Sequence, residues 1–284
     1  MPVRACPITD GDLERVGRFL HEHLNGNVTA EAWARAVDVP WTVDRPNGGF
    51  MLLDDETVVG VNLAFYSERV IEGRRERFCN LGAWCVLPEY RFHSLRLIKA
   101  LLAQDGYHFT DLSPSGNVLG LNERLGFEYL DTRASLIPIL PRPSWTGRHV
   151  ISADPEVIAR TLTGDALELY RDHAATAARH LVLIRGDEWC YVVFRKDTRK
   201  RVRAFASILH VSHPEVFRSM TGPLGRYLLR HHSVVAMLAD ERVAGGRPRL
   251  AIELRSPRRK MFRSASLAPN HIDYLYSELV CVSW

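Results

Sequence analysis

LGAWCVLPEYRFHSLRLIKALLA, at residues 81–103, has the pattern of a strand, a turn and a helix. A strand that leads through a loop into a helix is a common architecture for binding phosphate, because backbone N–H groups and the helix dipole both favour an anion there. Glycine usually lets the backbone approach such a phosphate closely, yet no glycine lies between Gly82 and Gly106. The segment therefore raises the question of whether this loop still binds a phosphate.

Around this segment, residues 3–139 alternate between strand and helix patterns in the order β, α, α, β, β, β, α, β, α, β, β. Three central strands are expected to pair antiparallel, and a crossover then adds a parallel strand. We predict an α/β unit that is complete by residue 140. The predicted strands are 3–7, 50–54, 57–70, 77–87, 107–113 and 127–139, and the helices follow Thr9-Asp10, span 29–36 and 93–104, and lie within 114–126.

The second half loosely repeats this order after PRPSWTGR, residues 141–148, whose prolines and glycine predict a linker. We predict two domains, 1–140 and 149–284, that are diverged copies of one architecture. The predicted elements are helices at 154–162 and 164–178, strands at 180–185, 188–195 and 202–211, a loop and helix, a strand at 233–240, a hairpin-like segment and a final strand at 274–282.

The composition is ordinary for a globular protein, with 46% hydrophobic and 25% charged residues among 284. No apolar run reaches the length of a membrane span, and the N-terminus lacks an apolar signal core. We therefore expect a cytoplasmic protein. Five cysteines at wide spacing and 12 histidines form no recognised metal motif, so we expect reduced thiols and no metal.

Charge is unevenly distributed. Residues 1–140 hold 14 Lys and Arg against 19 Asp and Glu, a net −5, whereas residues 141–284 hold 23 against 14, a net +9. The basic runs RKDTRKRVR (195–203) and RSPRRKMFR (255–263) are either solvated loops or a surface for an anionic partner such as a nucleotide, an acidic carrier protein or RNA. Few aromatic residues lie among them, so stacking on single-stranded nucleic acid is not indicated, and we expect no DNA partner.

The first half resembles the GNAT superfamily of GCN5-related N-acetyltransferases. VLPEYRFHSLRLIKALL is similar to the family pattern V-x-P-x-[YWF]-[RQ]-x-x-G-x-[GA] followed by a helix, and GNVLGLNERLGFEYLD is similar to a later family segment. The resemblance implies an α/β fold of two tandem acyl-CoA N-acyltransferase-like domains, with mixed central sheets flanked by helices and a degenerate second copy. It also implies an enzyme that uses acetyl-CoA or another acyl-CoA as co-substrate.

The resemblance assigns the binding of CoA to the loop. Ser94 and Arg96 occupy the two family positions that are normally small. A hydroxyl group and a positive charge would therefore bind the pyrophosphate in place of the close backbone approach that glycine allows. The alternative is a loop without phosphate that only packs Leu95, Leu97, Ile98 and Leu101 into the core. Cys85 is expected to pack rather than act as a nucleophile. The implied CoA-binding residues are Trp84 and Val86 for the pantetheine arm, Arg91, Phe92, His93, Ser94, Leu95 and Arg96 for the pyrophosphate, and Asn117.

The catalytic residues are less well specified. Asn122 occupies the position at which the family often has a tyrosine that protonates the departing thiolate, and an amide cannot donate a proton in that sense. Asp111 lies at the carboxyl end of a predicted parallel strand, where open α/β sheets bind ligands, and we expect it to line the cleft. Glu68 and Glu76 are further candidates for the general base, although a solvated turn is the favoured explanation of Glu76.

A second candidate phosphate loop is RSMTGPLGRYLL, residues 218–229, where Gly222 and Gly225 flank a proline ahead of a helix. An ordinary glycine turn before a helix is the interpretation that we favour. If the loop binds CoA, the donor would lie in the basic half of the chain.

The sequence therefore predicts an acyltransferase that moves an acetyl or other acyl group from CoA to an amine or hydroxyl group of a small molecule or sugar. Two alternatives remain open: a transferase with an acyl-carrier-protein or aminoacyl-tRNA donor, and a non-catalytic binding protein. The terminal strand VCVSW could pair within the chain or across a homodimer.

Overall fold

A computed structural model describes residues 3–139, 149–199 and 202–283. The predicted linker at 141–148 lies outside these residues. The chain divides into two compact units: the first comprises Met1–Leu130, Arg259–Ile272 and Tyr276–Trp284, and the second comprises Asp131–Arg258 and Asp273–Leu275. This division differs from the predicted domains 1–140 and 149–284, because the chain returns to the first unit near its end.

The elements up to residue 139 follow the predicted order closely. Short 3-10 turns precede α1 and α3, at Asp10–Asp12 and Pro88–His93. The elements are β1 (Arg4–Pro7), α1 (Leu13–His23), α2 (Ala30–Val37), β2 (Gly49–Asp54), β3 (Thr57–Ile71), β4 (Arg74–Val86), α3 (Ser94–Leu102), β5 (His108–Asp111), α4 (Gly116–Arg124), β6 (Glu128–Tyr129) and β7 (Ala134–Pro138).

The elements after residue 148 depart further from prediction. They are β8 (His149–Ser152), α5 (Pro155–Thr161), α6 (Gly164–His173), β9 (Arg179–Arg185), β10 (Glu188–Arg199), β11 (Val202–Val211), α7 (Pro214–Ser219), α8 (Thr221–His232), β12 (Ala236–Asp240), α9 (Glu241–Ala244), β13 (Ile252–Glu253), β14 (Met261–Arg263) and α10 (Glu278–Cys281).

Two of the predictions for this half are wrong. The predicted final strand at 274–282 instead contains the short helix α10, because the side chain of Ser277 accepts a hydrogen bond from the Leu279 N–H and caps it. The predicted hairpin after residue 242 contains the end of α9 and the two-residue strand β13.

The first sheet has the strand order β1-β2-β3-β4-β5-β14-β6 within the described residues. β1 to β4 are antiparallel, and β4 pairs in parallel with β5 across the α3 crossover, as predicted. The β3–β4 hairpin turns at Glu72 and Gly73, both with positive φ, which suits the twist of the flanking strands. A buried core joins these strands to α3: it comprises Ala64, Tyr66, Cys79, Leu81, Ile98, Leu101, Phe109, Phe127 and Met261.

The second sheet has the order β13-β7-β12-β11-β10-β9-β8 within the described residues. β7 pairs antiparallel with β12, so the predicted strand 127–139 is divided between the two sheets, with β6 in the first and β7 in the second. The architecture is therefore mixed α/β with two mixed sheets flanked by helices, which confirms the predicted fold class.

Candidate active site

β4 and β5 separate at one end of the first sheet. They pair in parallel from Phe78 opposite His108 to Leu81 opposite Asp111, where β5 ends. β4 continues to Val86 along β3. Beyond Leu81, the edge of β4 that faced β5 has no strand partner in the described part of the chain, so its backbone groups can pair with a ligand.

A β-bulge lies at the same place. Ala83 and Trp84 of β4 together face the single residue Asn62 of β3. Ala83 has a φ of 50°, in the left-handed region that residues with a Cβ atom rarely adopt. Bulges redirect the backbone and are common beside active sites, and strained backbone of this kind concentrates at functional sites.

A cavity of about 200 Å³ lies where the two strands separate. Its wall combines the bulge with the polar residues that follow β5 and with apolar side chains. It is lined by Gly82, Ala83 and Trp84, by Asp111, Ser113, Pro114 and Ser115, and by Leu24, Asn62, Leu81, Ile98 and Val118.

Asp111 is the buried acidic group of this cavity, as the sequence predicted for the cleft. Burial raises the pKa of its carboxyl group to about 6, although hydrogen bonds from the Asn122 side chain and the Ser113 backbone N–H act in the opposite direction. A carboxylate with a pKa near 6 is ionised at neutral pH and is basic enough to accept a proton in a reaction.

Asn122 is hydrogen-bonded to the Asp111 carboxylate. Its Nδ2 atom donates a 2.8 Å hydrogen bond to Oδ2 of Asp111, and its side chain is fully buried on α4. The geometry gives Asn122 a role in orienting Asp111 and none as a proton donor. The sequence suggested both residues, but their contact across the β5–α4 connection was not predictable from spacing.

A second buried carboxylate, Glu278 of α10, lies beside the cavity and was missed by sequence analysis. Its Oε1 atom accepts a 2.7 Å hydrogen bond from the Ser113 hydroxyl, and its backbone N–H donates to Oδ1 of Asn80 at 3.0 Å. A Cβ atom at Gly82 would lie 3.0 Å from Cβ of Glu278, so the absence of a side chain at Gly82 permits the approach. The only signal in the sequence was one charged residue in the apolar run YLYSELVCV.

The predicted pyrophosphate loop is a 3-10 turn that continues directly into α3. The Ser94 N–H already donates to the Arg91 carbonyl, so this amide is not open to a phosphate. Phe92 is 97% exposed, and Arg91 is also exposed, while His93 and Ser94 are partly buried. The loop therefore presents side chains rather than a row of free amides.

Two further details differ from the expected arrangement of this loop. Arg96 Nη1 donates to the Val3 carbonyl at 2.7 Å, which directs the guanidinium towards the N-terminal strand. Leu95 is 39% exposed, so its predicted place in the core is wrong, whereas Leu97, Ile98 and Leu101 are buried as predicted. The reason is the helix phase, since position 95 faces outward when 97, 98 and 101 face the sheet.

The remaining predicted donor-site residues are spread around this region. Trp84 lines the cavity, and Val86, two residues on, is half-buried at the end of β4. Asn117 is exposed in the first turn of α4 and does not line the cavity.

The alternative catalytic candidates are engaged elsewhere. Glu76 accepts a 2.9 Å hydrogen bond from His108, and Glu68 pairs with Arg75 on the β3–β4 hairpin. Burial raises the pKa of the Cys85 thiol, which disfavours the thiolate that a nucleophile requires. Asp111 therefore remains the candidate base.

The second candidate phosphate loop is not a loop. Helix α8 begins at Thr221, so Gly222 and Gly225 lie within its first two turns. Gly225 is buried, and a Cβ atom there would lie 3.1 Å from Ile139, so close packing explains this glycine. The predicted glycine loop ahead of a helix is therefore wrong.

The described residues contain no group of three or more His, Cys, Asp and Glu side chains arranged to bind a metal ion. None of the helices in this part of the chain is both long enough and apolar enough to cross a membrane.

The chain is similar in structure to several acyltransferases. A GCN5-related N-acetyltransferase from Anabaena variabilis superposes with a TM-score of 0.58 at 14% identity, over 94% of this chain and 74% of the other. A putative acetyltransferase from Pyrococcus horikoshii gives 0.57 at 16% identity, over 99% and 94%. The N-myristoyltransferase of Saccharomyces cerevisiae, solved with bound myristoyl-CoA, gives 0.52 at 12% identity, over 99% and 87%.

The chain has the GNAT fold. This confirms the fold resemblance found in the sequence, and the two sheets agree with a tandem form. Neither the protein-family models nor the curated protein sequences give a match. At these identities the GNAT likeness establishes the fold, and the chemistry has to be argued from the cavity.

Proposed function

We propose that the first unit is an acyltransferase that moves a short acyl group from CoA to the amine of a small molecule. One observation carries the proposal: the opening between β4 and β5 contains both a strained bulge and the buried carboxylate of Asp111, in one cavity. Acyl transfer to an amine needs these two functions, a base for the amine proton and donors for the negative charge that develops on the carbonyl oxygen.

Asp111 performs the proton transfers in this proposal. The amine nitrogen forms a bond to the thioester carbonyl carbon while the carboxylate accepts a proton from the amine. The carbon–sulfur bond then breaks, and the carboxyl group returns the proton to the departing thiolate. No tyrosine is needed, because Asp111 both takes and gives the proton, and Asn122 holds it in position.

Backbone N–H groups of the bulge supply the second function. The edge of β4 at Ala83 and Trp84 has lost its β5 partner, and both residues line the cavity. Fixed backbone donors in a site that excludes water stabilise a developing oxyanion strongly.

The residues fit the thioester end of CoA better than its pyrophosphate. The cavity accepts the acyl group and sulfur. The predicted pyrophosphate loop offers the side chains of Arg91, His93 and Ser94 in place of open amides. We propose that these side chains contact the phosphates.

The size of the cavity favours a short acyl group. A cavity of about 200 Å³ has room for an acetyl group, the thioester sulfur and an attacking amine, so we propose a short acyl group rather than a long chain. Ser113 orients the amine: its hydroxyl proton is held by Glu278, so its oxygen lone pairs are left to accept an amine N–H.

The test is thiol release from acetyl-CoA in the presence of small primary amines, including amino sugars. We expect kcat/KM to rise with pH through about 6, the pKa of Asp111, and Asp111→Asn to lower kcat by about 10²–10⁴-fold. Equal rates in the wild type and Asp111→Asn would overturn the assignment.

Donor binding is tested separately by thermal unfolding with acetyl-CoA. A ligand at about 100 times its Kd stabilises the native state by about 2.7 kcal/mol. Ser94→Glu should abolish this shift. Lys99→Glu introduces the same acidic residue at an exposed position of the same helix, α3, and should retain the shift. No shift in the wild type would exclude free acetyl-CoA and favour a carrier-bound or aminoacyl-tRNA donor.

A further inference from the structure

Asn62 places a buried amide in the wall of the candidate cavity. It lies on β3 opposite the bulge of β4 and is only 1% exposed. Neither its Oδ1 nor its Nδ2 atom has a hydrogen-bond partner among the described residues. Buried polar groups in proteins are nearly always hydrogen-bonded, because an unpaired one costs stability. No other lining residue has a buried side-chain atom of this kind in the part of the chain that the structure describes.

The pairing of the strands does not involve the Asn62 side chain. Asn62 pairs with Phe50 of β2 through the backbone. Because side chains alternate along a strand, Asn62 lies on the same face of β3 as Ala64 and Tyr66, which pack with residues of α3. Ile98 of α3 lines the cavity as well. The amide of Asn62 is therefore directed at the α3 side of the cavity.

The exposure of the lining residues gives the cavity an outer and an inner end. Leu24 and Ser115 are exposed and form the outer end. Leu81, Ile98 and Asn62 are buried and form the inner end. The acyl group is the terminal part of a thioester donor, so in the proposed reaction it extends towards the inner end.

The other polar parts of the two reactants already have partners in the proposed reaction. The N–H groups of the bulge stabilise the carbonyl oxygen, Asp111 takes the proton of the amine, and Ser113 orients the amine. The acyl chain beyond the carbonyl group is the part that has no polar partner. Asn62 is the polar residue of the inner end, and it also has no partner among the described residues.

The chemistry of an amide restricts the group that it can bind. A methyl group would leave Asn62 unpaired. A carboxylate offers only acceptors and would lie in one cavity with Asp111, where no Lys or Arg is among the lining residues. An ammonium group offers only donors. A hydroxyl group is small and uncharged, and it can pair with either atom of the amide because it is both donor and acceptor.

We propose that Asn62 selects a short hydroxyacyl group, of which glycolyl is the smallest. The inference rests on the proposed acyl transfer and specifies its donor. The amine nitrogen still forms a bond to the carbonyl carbon, the carbon–sulfur bond breaks, and Asp111 passes the proton to the thiolate, while the hydroxyl group is unchanged. A site that hydrogen-bonds a substrate hydroxyl rejects the analogue without it, because the buried polar group is then left unpaired.

The experiment compares thiol release from glycolyl-CoA and propionyl-CoA by the full-length protein with the same amine. The two donors have similar size and differ by a hydroxyl group in place of a methyl group. We expect kcat/KM to be at least about tenfold higher for glycolyl-CoA, the effect of about one hydrogen bond. Asn62→Leu keeps the branched shape without the polar atoms, and should lose this preference while it still turns over propionyl-CoA.

Stability distinguishes a role in binding from a structural role. Asn62→Leu removes an unpaired amide, so its melting temperature should equal or exceed that of the wild type. Asn80→Leu is the matched control, because the buried Asn80 amide on β4 donates to Thr110 and accepts from the Glu278 N–H. The control should melt at a lower temperature. An equal decrease in Asn62→Leu would overturn the inference, since it would show that this amide already has a partner in the fold.

The remaining outcomes separate this inference from the acyl transfer on which it rests. Equal kcat/KM for the two donors in the wild type would overturn the hydroxyacyl group and leave the acyl transfer standing. So would a preference for glycolyl-CoA that Asn62→Leu retains. No thiol release from these donors or from acetyl-CoA would overturn the acyl transfer and this inference together. The comparison of donors in the wild type needs no variant, so it decides even if Asn62→Leu does not fold.

Discussion

Asp111, the base of the proposed reaction, lowers the stability of the fold at neutral pH. Its buried carboxyl group has a folded-state pKa of about 6, above the ordinary value of 3.8. The folded protein therefore binds more protons than the unfolded chain between these values, and the stability falls as the pH rises through that window. The proposed reaction gives this cost a purpose, because its base must be ionised at neutral pH.

Asp111→Asn should consequently make the protein more stable at pH 7.5 while it abolishes the proposed acyl transfer. A shift of about two pKa units corresponds to about 3 kcal/mol, which is the upper limit of the gain. Urea unfolding at pH 7.5 and 4.5 measures it, and the difference between variant and wild type should shrink at pH 4.5. A variant that is less stable than the wild type at both values would contradict this account.

Gly82 and Gly120 provide a matched pair in the first unit. A Cβ atom at Gly82 would meet Glu278 and Phe65 at 3.0 Å, whereas Gly120, on α4, has open space around it. We expect Gly82→Ala to destabilise the protein by about 1–3 kcal/mol through overpacking, and Gly120→Ala to stabilise it by up to about 1 kcal/mol through helix propensity. Chemical denaturation of the two variants should give opposite signs, and equal signs would refute the packing argument.

Among the elements, those long enough to show a periodic pattern were predictable, and the shortest strands with distant partners were not. The hairpin β3–β4 and the β4–α3–β5 crossover follow from periodicity and turn residues in a continuous stretch. β6, β13 and β14 have two or three residues each, too few to show a period of two. Their existence depends on a neighbouring strand from a remote part of the chain.

The residues of the candidate site likewise include some that the sequence predicts and some that it does not. Trp84 was predicted because the resemblance assigns it to the pantetheine arm, and Asp111 because it lies at the carboxyl end of a predicted parallel strand. The partnership of Ser113 with Glu278 joins residues 165 positions apart, and no local pattern reports such a contact. The 3-10 turn at Pro88–His93, where an open loop was predicted, was also missed, because the two have similar sequences.

Helix α10 is the element that brings Glu278 to the cavity. Glu278→Ala should destabilise the protein by about 1–3 kcal/mol, since the partly buried Ser113 hydroxyl loses its acceptor. Glu278→Gln keeps an acceptor oxygen and should cost less. In the amine assay we expect KM for the amine to rise more than kcat falls in Glu278→Ala, because the freed Ser113 hydroxyl no longer presents fixed lone pairs. An unchanged KM would separate α10 from acceptor binding.

At the scale of the whole molecule, the two units are built from interleaved parts of the chain. The first sheet needs β14 between β5 and β6, and β7 belongs to the second sheet. The fragment 1–140, which the sequence alone predicts to be a complete domain, therefore lacks an inner strand and carries one that pairs elsewhere.

We expect the fragment 1–140 to fail to give a cooperative unfolding transition, while the full chain gives one. Thermal unfolding followed by circular dichroism measures this directly. Adding the peptide 259–284 to the fragment 1–130 is the matching test, because it restores β14 and α10 without β7. A fragment 1–140 as stable as the intact protein would show that β14 is dispensable.

The position of β14 also has a consequence for synthesis on the ribosome. Counting only strands among the described residues, the second sheet is complete once residue 253 has been translated, but the first must wait for residue 263. At about 5–20 residues per second, the nascent N-terminal half spends roughly 10–30 s with the edge of β5 uncovered. The first unit is thus translated first but completes its sheet last. During that interval the uncovered edge of β5 would be the main binding site for chaperones in this chain.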